Sequence, residues 1–329
     1  MKVIIPLAGF GARLRPHTFT KPKPLINVAG KPVLAHILDS LAGLDVDEMV
    51  FIVGHLGDQI QAYVSENYNF HARYVEQKEL KGQAHALYLA REYLTGPILI
   101  VFVDTIFEAD LLHLPTDYDG VLYVKEVPDP RRFGVAVIKD GAIARLVEKP
   151  TEPVSNLAVI GVYYIRQGER LLAAIEELLR RDIKTKGEYF LADALQLMID
   201  GGAKFKAVTL DVWEDCGKPE TVLQTNRYLL DKTGGHAGNT EDSVIIPPVY
   251  IADSARVIQS VIGPYVTIAD KAVVQRSIVQ DSIIDKGARV EDATLTLSLI
   301  GDNALVRGEC VQLNVGDSSQ VDFTGKAYE

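Results

Sequence analysis

Cysteine is almost missing: Cys216 and Cys310 are the only two in 329 residues. Two are too few for a disulfide framework, and no metal-site spacing surrounds them. Long apolar runs are missing as well. The longest, Ile98 to Val103, is six residues, far short of the roughly 20 needed to cross a bilayer, so no membrane partner is expected. Pro6 and Gly9 interrupt MKVIIPLAG before it could serve as a signal-peptide core. A reducing, cytoplasmic setting is the expectation. Basic charge is also in deficit, with 44 acids against 34 lysines and arginines and a net charge of −10. Nucleic-acid binding needs a broad basic surface, so no nucleic-acid partner is expected. One stretch reverses this balance. No acid occurs before Asp39, yet Lys2, Arg13, Arg15, Lys21, Lys23 and Lys31 all do. That pattern predicts a local anion site suited to a small phosphorylated ligand.

Of what is present, the first 230 or so residues alternate short apolar runs with amphipathic stretches. Lys2 to Leu7, Met49 to Val53 and Ile98 to Val103 read as buried strands. Val33 to Leu44 and Gln83 to Leu94 carry apolar residues at helical spacing. This alternation predicts an α/β domain on a mostly parallel, Rossmann-like sheet. Val121 to Val127 and Val135 to Val147 read as further sheet segments, with Asp140-Gly141 as a tight hairpin turn. Gly168 to Arg181 and Pro219 to Leu230 read as helices. The predicted organisation is a domain over 1–232, a polar, Gly-rich linker over 233–243 and a second domain over 244–329. There, aliphatic residues recur about every sixth position, at Ile251, Val257, Ile262, Ile268, Val274, Ile284, Val290, Ile300 and Val306, with slips near Gln259 and Gln280. Such a period predicts a parallel β-helix of stacked hexapeptide turns.

The chemistry concentrates after the first strand, in LAGFGARLRPHTFTKPKPL. Gly9 and Gly11 let the backbone approach a ligand and point N–H groups at it. Arg13 can grip phosphate oxygens in a fork, and Lys23 adds a mobile point charge. Pro16, Pro22 and Pro24 stiffen the loop. The segment is neither a Walker loop nor a complete dinucleotide fingerprint.

This segment, with Gly30-Lys31-Pro32, resembles the signature of the sugar nucleotidyltransferases. Within that family, the long form of the glucose-1-phosphate thymidylyltransferases also ends in a left-handed β-helix. The resemblance implies a nucleoside triphosphate held by Leu7, Ala8, Gly9, Gly11, Ala12 and Arg13, with Lys23 over its reacting phosphates. It implies Gln77 and Gly82 as readers of a pyrimidine base, and Asp104 and Asp215 as ligands of Mg²⁺. For a sugar-1-phosphate it implies Gly134, Glu148, Lys149, Gly161, Tyr163, Glu188 and Trp213, and it makes Asp193 structural. Four positions depart from the family pattern. Phe10 replaces a glycine and Ala12 a threonine in the loop, while Val103 and Lys218 replace a glycine and a threonine before and after the acids.

The implied reaction is transfer of a nucleotidyl group from dTTP or UTP to a sugar-1-phosphate, with pyrophosphate leaving, catalysed by Arg13, Lys23, Asp104, Lys149 and Asp215. Two alternatives stay open: an impaired regulatory protein of the same fold, and a bifunctional enzyme with an acyltransferase β-helix. The second lacks a histidine base, since no histidine follows His236. A homo-oligomer assembled through the β-helix is also expected.

Overall fold

The computed structural model describes residues 1–115, 117–152, 154–308 and 313–322. Cys310 and the expected β-helix limit at 329 lie outside the described residues. The chain divides into two compact units: residues 1–9 with 39–213, and residues 10–38 with 214–329.

The first unit is built on a nine-stranded sheet. Its strands are β1 (Lys2–Pro6), β2 (Glu48–Val53), β3 (Ala72–Glu76), β4 (Ile98–Val101), β5 (Gly120–Glu126), β6 (Gly134–Lys139), β7 (Ala142–Glu148), β8 (Leu157–Ile165) and β9 (Phe205–Thr209). One half is parallel, as expected: β1 lies between β2 and β4, and β3 flanks β2. β1, β2 and β4 are buried apolar runs, the composition a parallel sheet covered on both faces requires. The other half turns antiparallel through β8, which pairs with β4, β5 and β6. The sheet is therefore mixed. β6 and β7 form the predicted hairpin, and Asp140 (φ 52°) and Gly141 (φ 79°) supply the two left-handed residues its turn demands.

Helices α2 (Gly57–Asn67), α3 (Gln83–Leu89), α4 (Gly168–Arg180) and α5 (Leu191–Asp200) belong to this unit. Leu171, Ile175 and Leu178 of α4 and Leu191 and Leu195 of α5 are fully buried in one core with Ile98, Ile100 and Phe205. Helix α1 is shorter than expected, Val33–Ser40 rather than to Leu44. α3 likewise stops at Leu89, and a separate 3-10 turn, Arg91–Tyr93, carries the apolar spacing onward.

The second unit holds α6 (Pro219–Thr233) and three all-parallel sheets of six, four and five short strands. This is the expected β-helix. Its coils repeat in register: Val257 pairs with Val274, Val274 with Val290 and Val290 with Val306. Those aliphatic side chains, with Ile262, Ile268, Ile284 and Ile300, fill one continuous core. At one corner, buried Ser260 and Ser277 each donate Oγ–H to the carbonyl two residues back. Their oxygens accept the N–H of Ser277 and Ala293 on the next coil. Ser282 and Ser298 repeat the arrangement at a second corner. The residues preceding these serines, Gln259, Arg276, Asp281 and Leu297, all have positive φ. Among the described residues no helix is long and apolar enough to cross a membrane.

Candidate active site

The site residues fall into two groups, one in each unit. In the first unit, β1 delivers Leu7, Ala8 and Gly9 at its carboxyl end, where open α/β sheets bind ligands. The Leu7 N–H donates to the Ile52 carbonyl (2.7 Å). A Cβ on Gly54 would lie 2.6 Å from the Ala8 oxygen, so Gly54 lets the two backbones approach. A side chain on Gly9 itself would meet open space.

Gln77 follows β3 and is buried. Its Nε2 donates to the Gly82 carbonyl at 3.3 Å, which brings the two expected base readers together. Gly82 has φ 110°, and a Cβ there would stand 2.4 Å from the Tyr189 carbonyl oxygen, so glycine is required.

Asp104 lies just beyond β4 and is half-buried. It shares a neighbourhood with Tyr163 and Glu148. Burial holds the Tyr163 hydroxyl well above its ordinary pKa, and the charges of Glu148 and Asp104 push in the same direction. Gly161 has φ 87° at a break in the β8 register, and its carbonyl accepts the Phe102 N–H (2.9 Å). The Phe102 ring then meets Tyr163 edge-on at 6.1 Å.

Gly134 pairs across the hairpin with Glu148, and a Cβ on Gly134 would stand 2.7 Å from Glu148 Oε2. Burial raises the Glu148 carboxyl and Asp193 adds to the rise, while Lys149 and Lys186 oppose it. Lys149 Nζ is 3.7 Å from Glu148 Oε1 and 4.5 Å from the Phe190 ring centre. Its backbone is left-handed (φ 45°) and its N–H donates to the Phe133 carbonyl (3.0 Å). Phe133 packs edge-on against Trp213 at 5.0 Å. Trp213 thus supports the turn that carries Lys149. Glu188 is exposed, and its backbone exchanges two hydrogen bonds with Thr185.

Two residues here were not singled out from the sequence. One is Gly54. The other is Lys186, whose Nζ donates to the Lys149 carbonyl at 3.4 Å and whose charge reaches Glu148. The basic run KTKG before EYFLADAL was the available signal for Lys186. Asp193, read as structural, has its Oδ2 buried with no hydrogen-bond partner among the described residues.

In the second unit, Gly11 has φ 61°, and a Cβ there would fall 2.9 Å from Lys23 Cβ and 3.1 Å from Thr18 Cγ2. Thr18 Oγ1 donates to the Gly11 carbonyl (2.9 Å). The 3-10 turn Ala12–Leu14 follows, with Arg13 exposed. Arg13 and Asp215 converge on Gly217: a Cβ there would lie 2.9 Å from Arg13 Nη2 and 2.8 Å from Asp215 Oδ1. The Gly217 N–H donates to that same Oδ1 at 2.8 Å. Gly11, Arg13, Lys23 and Asp215 thus gather in one unit. Lys21 does not join the anion site that the acid-free stretch suggested. Its ammonium is bonded to Asp285 and Asp302, each at 2.8 Å.

Asp104 in the first unit and Asp215 in the second each offer hard carboxylate oxygens, the donor chemistry that magnesium prefers. Among the described residues no three His, Cys, Asp or Glu side chains gather into a cage.

The model of the nucleotidyl transferase family matches residues 2–232. The bifunctional protein GlmU of Methanocaldococcus jannaschii is 36% identical over 260 residues, covering 78% of this chain but only 61% of that protein. The glucose-1-phosphate thymidylyltransferase of Streptomyces griseus is 30% identical over 360 residues, covering 98% of this chain and 100% of that protein. Among solved structures, a Bacillus anthracis protein provisionally described as a glucose-1-phosphate thymidylyltransferase, in complex with a sucrose, superposes with a TM-score of 0.60. It is 27% identical, and the match covers 69% of this chain and 94% of that one.

Proposed function

The chain belongs to the nucleotidyl transferase family, and on that premise we propose that it transfers a nucleotidyl group from dTTP or UTP to a sugar-1-phosphate, with glucose-1-phosphate the first candidate. The observation that carries this reading is the cluster of Glu148, Lys149 and Lys186 with Asp104 beside Tyr163. A carboxylate for sugar hydroxyls adjoins two ammonium groups for a phosphate. The end-to-end match to the Streptomyces griseus thymidylyltransferase supports the choice of substrates.

The reaction needs no protein nucleophile. A sugar phosphate has a second pKa of about 6 and is mostly a dianion at neutral pH. One of its oxygens forms a bond to the α-phosphorus of the nucleotide as the bond to the β-phosphate oxygen breaks. Pyrophosphate leaves with that electron pair. Lys149 and Lys186 hold the attacking phosphate, and Glu148 accepts from sugar hydroxyls. Arg13, Lys23 and the N–H groups around Gly9 and Gly11 bind the triphosphate and offset repulsion between the two anions. Gln77, with Gly82, reads the base; an amide both donates and accepts, as a pyrimidine edge requires. Asp104 and Asp215 are the residues that would hold Mg²⁺, which supplies charge neutralisation at the phosphates when bound.

Self-association through the β-helix is part of the same proposal. Val244 and Ile278, in register through Val261 on successive coils, are 59% and 52% exposed.

The test is pyrophosphate release with four nucleotides against glucose-, galactose- and glucosamine-1-phosphate. The expected result is turnover with dTTP or UTP. In Asp104→Asn, turnover should fall by about a hundredfold or more with sugar-phosphate binding retained. Absence of turnover with every pair, or an unaffected Asp104→Asn, overturns the reading.

A further inference from the structure

The loop that carries Gly11, Arg13 and Lys23 is fastened to the β-helix along one corner. His17 is buried, with Nε2 2.5 Å from Asn314 Oδ1. Thr20 donates its hydroxyl to Asp317. Lys21 donates to Asp285 Oδ2 and Asp302 Oδ1 with its side chain only 14% exposed. Pro16 packs so closely on Gly316 that a Cβ there would be 2.9 Å from Pro16 Cβ.

The partners are not scattered. Ile284, Ile300 and Val315 pair in register on three successive coils. Asp285 follows the first, and Asp302 and Asp317 stand two residues after the others. The acids therefore form a column along one edge of the helix, tied together by the Asp302 N–H donating to Asp317 Oδ1 at 2.8 Å. The column meets residues 17 to 21 of the loop. Two residues beyond Lys21, Lys23 packs against Gly11, which Thr18 also holds.

Charge explains why this contact differs from an ordinary surface pair. Burying an ammonium is costly unless it is paired and hydrogen-bonded, and two carboxylates flank this one. Burial alone would lower the Lys21 pKa, yet Asp285 and Asp302 more than offset it and raise it to about 12. A lysine so held is fixed in place and is withdrawn from phosphate binding.

We propose that the C-terminal β-helix is the brace that holds the phosphate loop in its binding shape, with Lys21 as the positioning residue locked by Asp285 and Asp302. The β-helix then contributes to the reaction without touching either substrate. This rests on the reading that residues 7–25 bind the triphosphate, and the test separates the two claims.

Amide hydrogen exchange over residues 10–25 is measured in the full-length protein, in Lys21→Met, in Lys21→Arg and in the Asp285→Asn/Asp302→Asn double variant. The KM for each substrate is measured alongside. In Lys21→Met and the double variant, loop exchange should rise by about tenfold or more and the triphosphate KM by a similar factor. The sugar-phosphate KM should stay within about twofold, and Lys21→Arg should retain most of both properties. The double variant discriminates, because it keeps the ammonium and removes its partners. A lysine that touched phosphate directly would bind triphosphate as well or better there, which would overturn the assignment. Thr20→Val, lacking the hydroxyl bonded to Asp317, should show a smaller rise in exchange, and it keeps the test open if Lys21→Met does not fold. Unchanged loop exchange in the double variant and in Thr20→Val overturns the brace. Raised exchange with an unchanged triphosphate KM overturns its link to catalysis. A wild-type protein with no triphosphate-dependent turnover overturns the proposed activity, and the exchange comparison still decides the brace.

Discussion

At the scale of single residues, the site depends on atoms that are missing as much as on those present. Gly134 faces Glu148 across the hairpin and leaves room for its carboxylate, whose Oε2 would be 2.7 Å from a Cβ there. Gly134→Ala should therefore displace the carboxylate with little cost to the strand, since a Cβ is ordinary in an antiparallel pair. The sugar-phosphate KM should rise by about tenfold while the melting temperature moves by only a few degrees, as read by pyrophosphate release and a thermal melt. An unchanged KM would remove Glu148 from the sugar site. Much of this was legible in the sequence, because FGV and EKP stand at family positions around Gly134 and Glu148. For Lys186 the basic run KTKG showed charge but not where it would act, and Gly54 was not legible. Each matters through a neighbour distant in sequence, Lys149 for the first and Ala8 for the second.

At the scale of elements, the corners of the β-helix set its behaviour. Each left-handed corner residue costs of order 1 kcal/mol, and the following serine offsets it with one bond along the chain and one to the next coil. The six-residue period showed the coils. The slips near Gln259 and Gln280 became intelligible only with the structure, in which Gln259 is itself a left-handed corner residue and Gln280 precedes another, Asp281. Beyond the predicted hairpin, the antiparallel half of the sheet was hidden by the composition of β8. That strand is apolar at almost every position, its partly buried Leu157 and Val159 still packing on the core, and so gives the same apolar run as a parallel strand. Helix ends were overrun for a similar reason. Buried Leu41 and Leu94 prolong the apolar spacing beyond the last helical residues, Ser40 and Leu89.

The acid column also has a pH signature. Burial, and then the charge of Asp285, raise Asp302 to about 6 against the pull of Lys21. A carboxyl whose folded pKa lies above its unfolded value stabilises the fold fully below the unfolded pKa and loses that contribution as pH rises through the folded one. For Asp302 the window is roughly pH 4 to 6, and its contribution to stability falls as pH rises through that window. Burial holds His17 below its ordinary pKa, so it contributes in the opposite sense, losing stability as pH falls. Asp302→Asn isolates the first effect. Wild type should lose unfolding free energy relative to Asp302→Asn as pH rises from roughly 4 to 6, measured by denaturant titration. A pH-independent difference would mean that Asp302 titrates normally.

At the scale of the molecule, the two compact units are not two consecutive lengths of chain. Residues 10–38 group with 214–329, so the phosphate loop shares a unit with the β-helix and not with the strand that precedes it. A chain ended at residue 232 would keep the whole family match and lose the partners of His17, Thr20 and Lys21. It should fail to give a monodisperse species with triphosphate-dependent turnover, as judged by size exclusion and pyrophosphate release. A soluble, fully active product of that truncation would show that the loop holds its shape alone.

The column formed by Asp285, Asp302 and Asp317 also bears on how such chains can be recombined. A chimera that joins this nucleotidyltransferase sheet to a foreign β-helix would inherit a loop bearing a largely buried ammonium and two polar side chains, those of His17 and Thr20, with nothing to receive them. Grafting succeeds only if the loop 10–38 travels with its own coils, or if the incoming coils present acids in the same three places and an amide in the place of Asn314. The natural unit of exchange in this protein is therefore discontinuous in the gene, and a crossover placed in the Gly-rich stretch after Thr233 would cut through it.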